Sequence, residues 1–334
     1  MNKHLIWFAL VILVLAACDK TDPGPNNIEG SVLINNEGNF QSANASLDVL
    51  DLETETVSSS VFADRNGEML GDVFQSITKI GERLYLVVNN SNKVEIVNES
   101  DYTSVATVEG LTSPRYVHAV SNDKAYITDL FGGSIAVLNL NTNTIDSSIP
   151  LAGWSEQMWQ KGERVFVAHP GNDYLYVINS ANDEIIDSVQ VALGGGDLRE
   201  DTDGNLWVLC SGQSFNNIAG GLYQIDPDNL SVLQSFDFTA SDSPSELSMN
   251  DDGTRLYYLL NGVKSMAITA TALPTTNLIE GSFYGMEIDP ETDWLYLTDA
   301  KDFQQRGDLL RFQDDGTPVD TFAVGIGPGD VFFP

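Results

Sequence analysis

The feature that most constrains this chain is a short strand-forming motif that recurs seven times along it. Each copy places one residue, aromatic in six copies, at the centre of an apolar triplet, and most copies follow a turn of Gly, Asp or Asn. The central residues of the seven copies are Leu33, Tyr85, Tyr126, Phe166, Trp207, Tyr257 and Tyr296. The intervals between them are 39 to 52 residues, and a period of this size is typical of proteins that repeat one small structural unit.

Each repeat contains further strands beside the aromatic one. Val94–Val97 and Ile135–Leu138 are examples of a following strand, and Ile145–Ile149 is an example of the next one. β-branched and aromatic residues separated by Gly, Asp and Asn favour strands joined by tight turns. No segment has a sustained apolar period of 3.6 residues, so we expect no long helices. Several strands in a unit of about 40 residues indicate the blades of an all-β propeller.

The two ends of the chain complete this fold prediction. A candidate innermost strand precedes every aromatic strand except the one at Leu33, and a spare copy, Gly329–Phe333, ends the chain. We expect this C-terminal strand to pair into the first blade, because closing the ring removes exposed sheet edges. The sequence therefore predicts a single seven-bladed β-propeller domain over residues 30–334.

The residues before the propeller have the character of an export signal. A basic start is followed by the 13 apolar residues of Leu5–Ala17, which suit a signal peptide and are too few to span a bilayer. Leu15-Ala16-Ala17-Cys18 resembles the processing site of bacterial lipoproteins. That resemblance implies that residues 1–17 are removed and that Cys18 is lipidated; an ordinary secretory signal is the alternative. Residues 18–29, rich in polar residues, Pro and Gly, are predicted to be a flexible tether.

The charge of the chain limits its partners. It has 48 Asp and Glu against 16 Lys and Arg, a formal net charge of −32. Nucleic acid is an unsuitable partner because its phosphates need a basic surface. The negative charge of the protein also repels anionic lipid, so we expect membrane contact only through the lipid anchor. Cys210 lies in an apolar strand and is predicted to be a buried, unreactive thiol.

The repeats resemble YncE-type and NHL-like propellers. Leu33–Phe40, which includes Asn-Glu-Gly-Asn-Phe, and Asn44–Leu47 are similar to the DUF5074 family of Bacteroidota lipoproteins. This resemblance implies an outer-membrane lipoprotein beside a TonB-dependent transporter, to which it delivers a ferric siderophore or a cobalamin-type corrinoid. Acidic residues close after Cys18 partly match the surface-export signal of such lipoproteins, so we expect the protein to face the cell exterior.

Residues expected on one face of the ring are the candidates for ligand binding. In a propeller, the loops that enter the inner strands share a face with the loops that follow the aromatic strands. Those loops supply the predicted site residues Arg115, Tyr116, Phe131, Trp154, His169, Phe283, Tyr284 and Lys301. Aromatic rings stack on flat ligands, and Arg or Lys neutralises anionic ones. Alternatively, Phe131 packs between blades, Arg115 pairs with a nearby acid, and His169 is an ordinary surface residue.

The sequence gives little sign of catalysis. It contains no nucleophile elbow and no zinc-binding motif, and we predict neither a catalytic residue, nor a metal site, nor a cofactor. Asp201–Asn205 resembles half of a calcium loop but is expected to be a hairpin turn. Two alternatives remain: a protein-interaction scaffold, or a metal-dependent lactonase or esterase. The metal-binding candidates of such a hydrolase are Glu37, Asn90, Asp129, Glu156, Asp197 and Glu246.

Overall fold

A computed structural model describes residues 30–334 as strands joined by short loops. The predicted signal peptide, the lipidated Cys18 and the tether all lie outside the described residues. The helices are α1 (Val61–Asn66) and two 3-10 turns, Asn89–Ser91 and Ser214–Asn216. Within residues 30–334, no helix is long and apolar enough to span a membrane.

The strands follow one another along the whole described chain. In order they are β1 (Ser31–Asn36), β2 (Ser46–Asp51), β3 (Thr56–Ser58), β4 (Phe74–Ile80), β5 (Arg83–Val88), β6 (Lys93–Asn98), β7 (Ser104–Val108), β8 (Pro114–Ala119), β9 (Lys124–Asp129), β10 (Ser134–Asn139), β11 (Thr144–Pro150), β12 (Met158–Lys161), β13 (Arg164–Val167), β14 (Tyr174–Asn179), β15 (Glu184–Gln190), β16 (Gly195–Glu200), β17 (Leu206–Cys210), β18 (Gly221–Asp226), β19 (Ser231–Asp237), β20 (Ser245–Met249), β21 (Arg255–Leu259), β22 (Val263–Ala267), β23 (Met286–Ile288), β24 (Leu295–Asp299), β25 (Arg306–Phe312), β26 (Pro318–Ile326) and β27 (Pro328–Phe332).

These strands form seven antiparallel sheets, which are the blades. Blade 1 has the strand order β27-β1-β2-β3, and blades 2 to 5 take β4–β7, β8–β11, β12–β15 and β16–β19. Blade 6 has three strands, β20–β22, and blade 7 has β23–β26. The inner strands contact one another in sequence around a ring, from β4 through β8, β12, β16, β20 and β23 to β27 and back to β4. The predicted all-β, seven-bladed propeller is therefore confirmed.

The ring closes where the sequence predicts. In blade 1, β27 pairs antiparallel with β1, so that Phe332 lies opposite Leu33 and Val331 opposite Ile34. Val331 is buried in an apolar cluster with Ile34, and this cluster joins blade 1 to blade 7. The first blade consequently takes its inner strand from the far end of the chain.

Apolar clusters between neighbouring blades form the core. In blade 5, every residue of Leu206–Cys210 is buried, and the Trp207 ring stacks on Phe236 with 6.4 Å between ring centres. Burial also raises the pKa of the Cys210 thiol to about 12, as expected for an unreactive cysteine. The Asp201 carboxylate accepts hydrogen bonds from Trp207 Nε1 (2.9 Å) and Gln224 Nε2 (2.6 Å), so this acid belongs to a structural turn.

The loops that precede the inner strands meet the loops that join the second and third strands of each blade. Backbone hydrogen bonds fix these meetings, such as Ser155 N to Asp129 O (3.0 Å) and Ser211 N to Gly194 O (2.9 Å). We call the face formed by these two sets of loops the upper face. Six of the eight residues that the sequence predicts for the site lie in these loops, and Arg115 and Tyr116 lie in the first half of the inner strand β8.

Candidate functional site

Two adjoining cavities lie among the inner strands and the upper-face loops. The larger, which we call the upper cavity, has a volume of about 340 Å³ and is lined by residues of blades 3 to 6. The smaller, the axial cavity, has a volume of about 260 Å³ and is lined by residues from all seven blades. Arg115, Tyr116 and Glu246 line both cavities, so the two cavities share a wall.

A fixed polar cluster forms one wall of the upper cavity. Arg115 Nε donates to Glu156 Oε1 at 2.7 Å, and Arg115 also donates to the side chain of Gln75 in the neighbouring blade. The indole N–H of Trp154 donates to the same Glu156 carboxylate, and the Arg115 guanidinium lies 5.8 Å from the centre of the Trp154 ring. Burial raises the pKa of Glu156, although the charge of Arg115 opposes that shift. The positive charge of Arg115 is therefore already paired with an acid of the protein itself.

The turn that presents Trp154 depends on the glycine before it. Gly153 has a φ of 103°, a conformation that L side chains rarely adopt. A Cβ at this position would lie 3.0 Å from the imidazole of His169, which lies directly against the turn. The sequence Gly153-Trp154 thus lets the backbone pass over a buried ring while the indole reaches the cavity.

Polar side chains of the inner strands line the axial cavity. Arg199 Nη2 donates to Glu287 Oε2 at 2.9 Å, and Arg199 Nη1 donates to Gln157 Oε1 at 3.1 Å. Gln157 Nε2 in turn donates to Asp197 Oδ1 at 3.0 Å. Burial and the charge of Glu287 raise the pKa of Asp330 to about 7. This cavity is therefore lined by the acids Glu37, Glu246 and Asp330 and by the guanidinium groups of Arg115 and Arg199, both of which are already paired.

Half of the predicted site residues meet at these cavities. Arg115, Tyr116 and Trp154 line the upper cavity, and Trp154 is 38% exposed. Tyr284 lines the axial cavity, where its hydroxyl donates to Glu37 Oε1 at 3.0 Å. Their positions at the start of an inner strand, or just before one, explain why they converge.

The other four predicted residues lie elsewhere. Phe131 is 75% exposed on the upper face but lines neither cavity, and exposed Lys301 pairs with Asp308 (Nζ to Oδ2, 2.9 Å). Phe283 turns inward and packs on Phe312, in the apolar cluster between blades 6 and 7. His169 is only 2% exposed; its Nε2 lies 3.0 Å from the carbonyl oxygen of Ala152, and burial lowers its pKa. The structure therefore does not bring His169 to the ligand cavity.

The upper face also presents exposed aromatic side chains around the site. These are Phe40 (68% exposed), Phe131 (75%), Phe215 (98%) and Phe303 (37%), all on loops between second and third strands. The alternative that Phe131 packs between blades is wrong, because its ring faces solvent. Each ring lies on a loop of a different blade, so the upper face offers aromatic contacts at several points around the site.

Gln75, Gln157 and Arg199 are among the lining residues that the sequence did not predict. Each lies on or next to an inner strand and faces the axial cavity. The available signal was their place one to three residues beyond the acid near the start of the inner-strand motif, which is Asp72, Glu156 or Asp197. Of the metal-binding candidates, Asp129 is held by the backbone N–H groups of Ser113 and Phe131. Among residues 30–334, no group of three or more His, Cys, Asp or Glu side chains is arranged to hold a metal.

Comparison with protein families identifies the chain. The model of DUF5074, described as a domain of unknown function, matches residues 30–325. The chain belongs to the DUF5074 family. Among curated protein sequences, none matches this DUF5074 protein.

Solved structures share the fold of the DUF5074 domain at low sequence identity. A quinonprotein alcohol dehydrogenase-like protein from Bacteroides thetaiotaomicron is 12% identical, with a TM-score of 0.73 over 92% of this chain and 78% of that one. The periplasmic gluconolactonase of Pseudomonas aeruginosa is 12% identical, with a TM-score of 0.67 over 91% and 100%. A protein from Lactobacillus plantarum is 16% identical, with a TM-score of 0.67 over 91% and 99%. At these identities the similarity shows the propeller fold alone.

Proposed function

We propose that this protein binds a bulky nutrient on its upper face and delivers it to a TonB-dependent outer-membrane transporter. The two ligand classes we propose are cobalamin-type corrinoids and ferric siderophores. The observation that carries the proposal is the upper cavity, where Trp154, Tyr116 and Arg115 surround an opening among exposed aromatic loops. A concave site that combines aromatic surface with a few fixed polar groups is the usual form of a small-molecule site.

The size of the site suits a ligand that is larger than the cavity. At about 340 Å³ the upper cavity holds one protruding group of such a molecule. The exposed rings of Phe131 and Phe215 offer apolar contact to the remainder. Aromatic rings supply large contact areas with little loss of conformational entropy, which suits recognition of flat, conjugated molecules.

We further propose that Cys18 is lipidated and holds the protein on the outer membrane, facing the cell exterior. A strongly acidic domain has no electrostatic attraction to a bilayer, so its attachment needs acyl chains. Cys18→Ser should release the protein from outer-membrane pellets washed with high salt, while Cys210→Ser should leave it attached. Protease treatment of intact cells then tests whether the domain faces outward.

Ligand binding is tested by titrating the full-length protein, purified in detergent, with cobalamin, cobinamide and several ferric siderophores. We expect saturable quenching of tryptophan fluorescence, because these ligands absorb light and Trp154 lines the cavity. Trp154→Phe should remove most of the quenching. Trp294→Phe is the matched control, since Trp294 stacks against Arg311 and lines neither cavity. Absence of saturable binding by every ligand would contradict the proposal.

On this proposal the protein is a binder and not an enzyme. The hydrolase alternative needs several free carboxylates for a divalent metal. Of its candidates, Glu156 accepts hydrogen bonds from Arg115 and Trp154, and Asp129 and Asp197 also accept hydrogen bonds from the protein. Metal analysis of the purified protein separates the two. A stoichiometric divalent ion with lactone hydrolysis that depends on it would favour the hydrolase.

A further inference from the structure

The positive charges at the two cavities are already paired. Arg115 binds Glu156 and Gln75, and Arg199 binds Glu287. An anionic ligand group would have to compete with these carboxylates for either guanidinium. Breaking a partly buried ion pair leaves an uncompensated charge behind and is unfavourable. The site is therefore poorly prepared to receive an anion.

In contrast, two hydrogen-bonding groups shared by both cavities have no partner. Within residues 30–334, the Glu246 carboxylate and the Tyr116 hydroxyl make no hydrogen bond, and Glu246 forms no ion pair. Glu246 is half-buried at the start of β20. Burial, followed by the charges of Asp197 and Asp330, raises its pKa well above the usual value. The charge of Arg199 already opposes this shift in part, and a cation beside Glu246 would further stabilise its ionised form.

We infer that this site selects ligands carrying a cationic, hydrogen-bond-donating group, such as a primary ammonium or a guanidinium, with Glu246 as its counter-ion. The inference rests on the proposed function and names the chemistry that the shared wall of the two cavities recognises. The group enters the upper cavity past Trp154, whose ring face also attracts cations. Its N–H groups donate to the Glu246 carboxylate and to the Tyr116 hydroxyl.

The proposed ligand classes differ in the charge that they would bring to this site. An iron complex of three catecholates carries three negative charges and would meet Glu246, Asp197 and Glu156 at the cavity wall. A ferric trihydroxamate is uncharged at its metal centre, and some members carry a free ammonium at one end. Amide-rich corrinoids offer neutral N–H donors. We therefore expect ammonium-bearing trihydroxamates to bind best and tris-catecholates worst.

A matched pair of probes tests the inference directly. The probes are a ferric trihydroxamate with a terminal ammonium and its N-acetylated form, which keeps the iron centre, removes the charge and adds only a small acetyl group. Calorimetric titration of the full-length protein in detergent at pH 7.5 should show at least tenfold tighter binding of the ammonium form. A factor of ten is about 1.4 kcal/mol, within the range of a charge-assisted hydrogen bond.

Variants assign this preference to Glu246. Glu246→Gln keeps the side-chain shape and should bring the two probes within about twofold of each other. Glu109→Gln is the matched control, because it removes an exposed acid from another upper-face loop and should leave the ratio unchanged. Tyr116→Phe should weaken the ammonium form about threefold, and thermal unfolding checks that all variants are folded.

The outcomes separate this inference from the proposed function. Equal binding of the two trihydroxamates, or an unchanged ratio in Glu246→Gln, overturns the inference while binding itself stands. If neither trihydroxamate binds, the cavity does not select for ammonium and the inference fails. The corrinoid titration then decides the proposed function independently.

Discussion

The second strands of the blades and the inner strands differ in how completely their side chains are satisfied. In β17 every residue is buried, and the single indole N–H has its partner in Asp201. In β20, Glu246 has an unpaired carboxylate and a left-handed backbone with φ of 56°. Strain and unsatisfied charge are retained at functional sites when the surrounding structure is rigid enough to impose them. We therefore expect the second strands to supply stability and, on the proposed function, the inner strands to supply binding.

We expect the largest effect from removing β27, because this strand both closes the ring and lines the axial cavity. Deleting residues 329–334 removes most of β27, which closes blade 1 and also supplies Asp330 to the axial cavity. It uncovers Ile34 and leaves β1 as an exposed edge. We expect Tm to fall by about 10 °C or more, or cooperative unfolding to be lost. An unchanged calorimetric transition would show that this pairing does not hold the ring together.

Substitution of Trp207 tests the second strands alone. Trp207→Ala removes a fully buried indole and one of the donors to Asp201, so the free energy of unfolding should fall by about 3–5 kcal/mol. The same change at Trp154, which is partly exposed, should cost less than about 1 kcal/mol. Denaturant unfolding of both variants gives the two values. Similar losses of stability at the two positions would show that the second strands contribute no more to stability than the residues of the site.

The sequence predicted the blades well because their second strands leave a strong signal. A strand buried on both faces reads as a continuous apolar run, and seven such runs located seven blades. The uneven spacing also has a structural cause. Between Leu33 and Tyr85 the chain inserts α1, and between Trp207 and Tyr257 it makes the longer loop with the 3-10 turn Ser214–Asn216. Blade 6 has no fourth strand, because the segment after β22, residues 268–285, contains four Thr and Pro274 and makes only an isolated bridge between Ile279 and Val263.

The site was harder to predict because position along a loop does not give the direction of a side chain. Phe283 and Tyr284 are adjacent, yet one enters the core and the other the axial cavity, since successive extended residues point to opposite sides. Trp154 and His169 both lie in upper-face loops, as predicted, but the Gly153 turn covers the imidazole of His169. Arg199 could not be predicted from its position in the sequence, because its ion-pair partner, Glu287, is 88 residues away.

Once a ligand is known, Trp154, which precedes the inner strand β12, tests whether the ligand binds at the upper cavity. Trp154→Ala removes the exposed indole and one donor to Glu156 while leaving the blades intact. We expect affinity to fall by about 2 kcal/mol, which is roughly thirtyfold, as for other aromatic binding anchors. Calorimetry measures the loss, and Phe131→Ala, outside the cavities, should cost less. An affinity within twofold of wild type would place the ligand elsewhere on the propeller.

The smallest expected effect is a gain of stability at the axial cavity. Burial and the charge of Glu287 raise the pKa of Asp330 from 3.8 to about 7. Between these values the folded protein holds a proton that the unfolded chain releases, so this group makes stability fall as pH rises from about 4 to 7. Asp330→Asn removes the charge and keeps an oxygen that accepts the N–H of Val331, as Oδ1 does at 2.7 Å.

We expect Asp330→Asn to raise the free energy of unfolding at pH 7.5 by about 1–2 kcal/mol, less than the full shift implies because neighbouring acids share the same repulsion. At pH 4 the protonated wild type and the variant should unfold alike. Glu109→Gln removes the same charge from an exposed loop and should change stability little at either pH. Urea titrations at both pH values make the measurement. A loss of stability in Asp330→Asn at pH 7.5 would mean that the axial acids hold the ring together, contrary to the division between the second and inner strands.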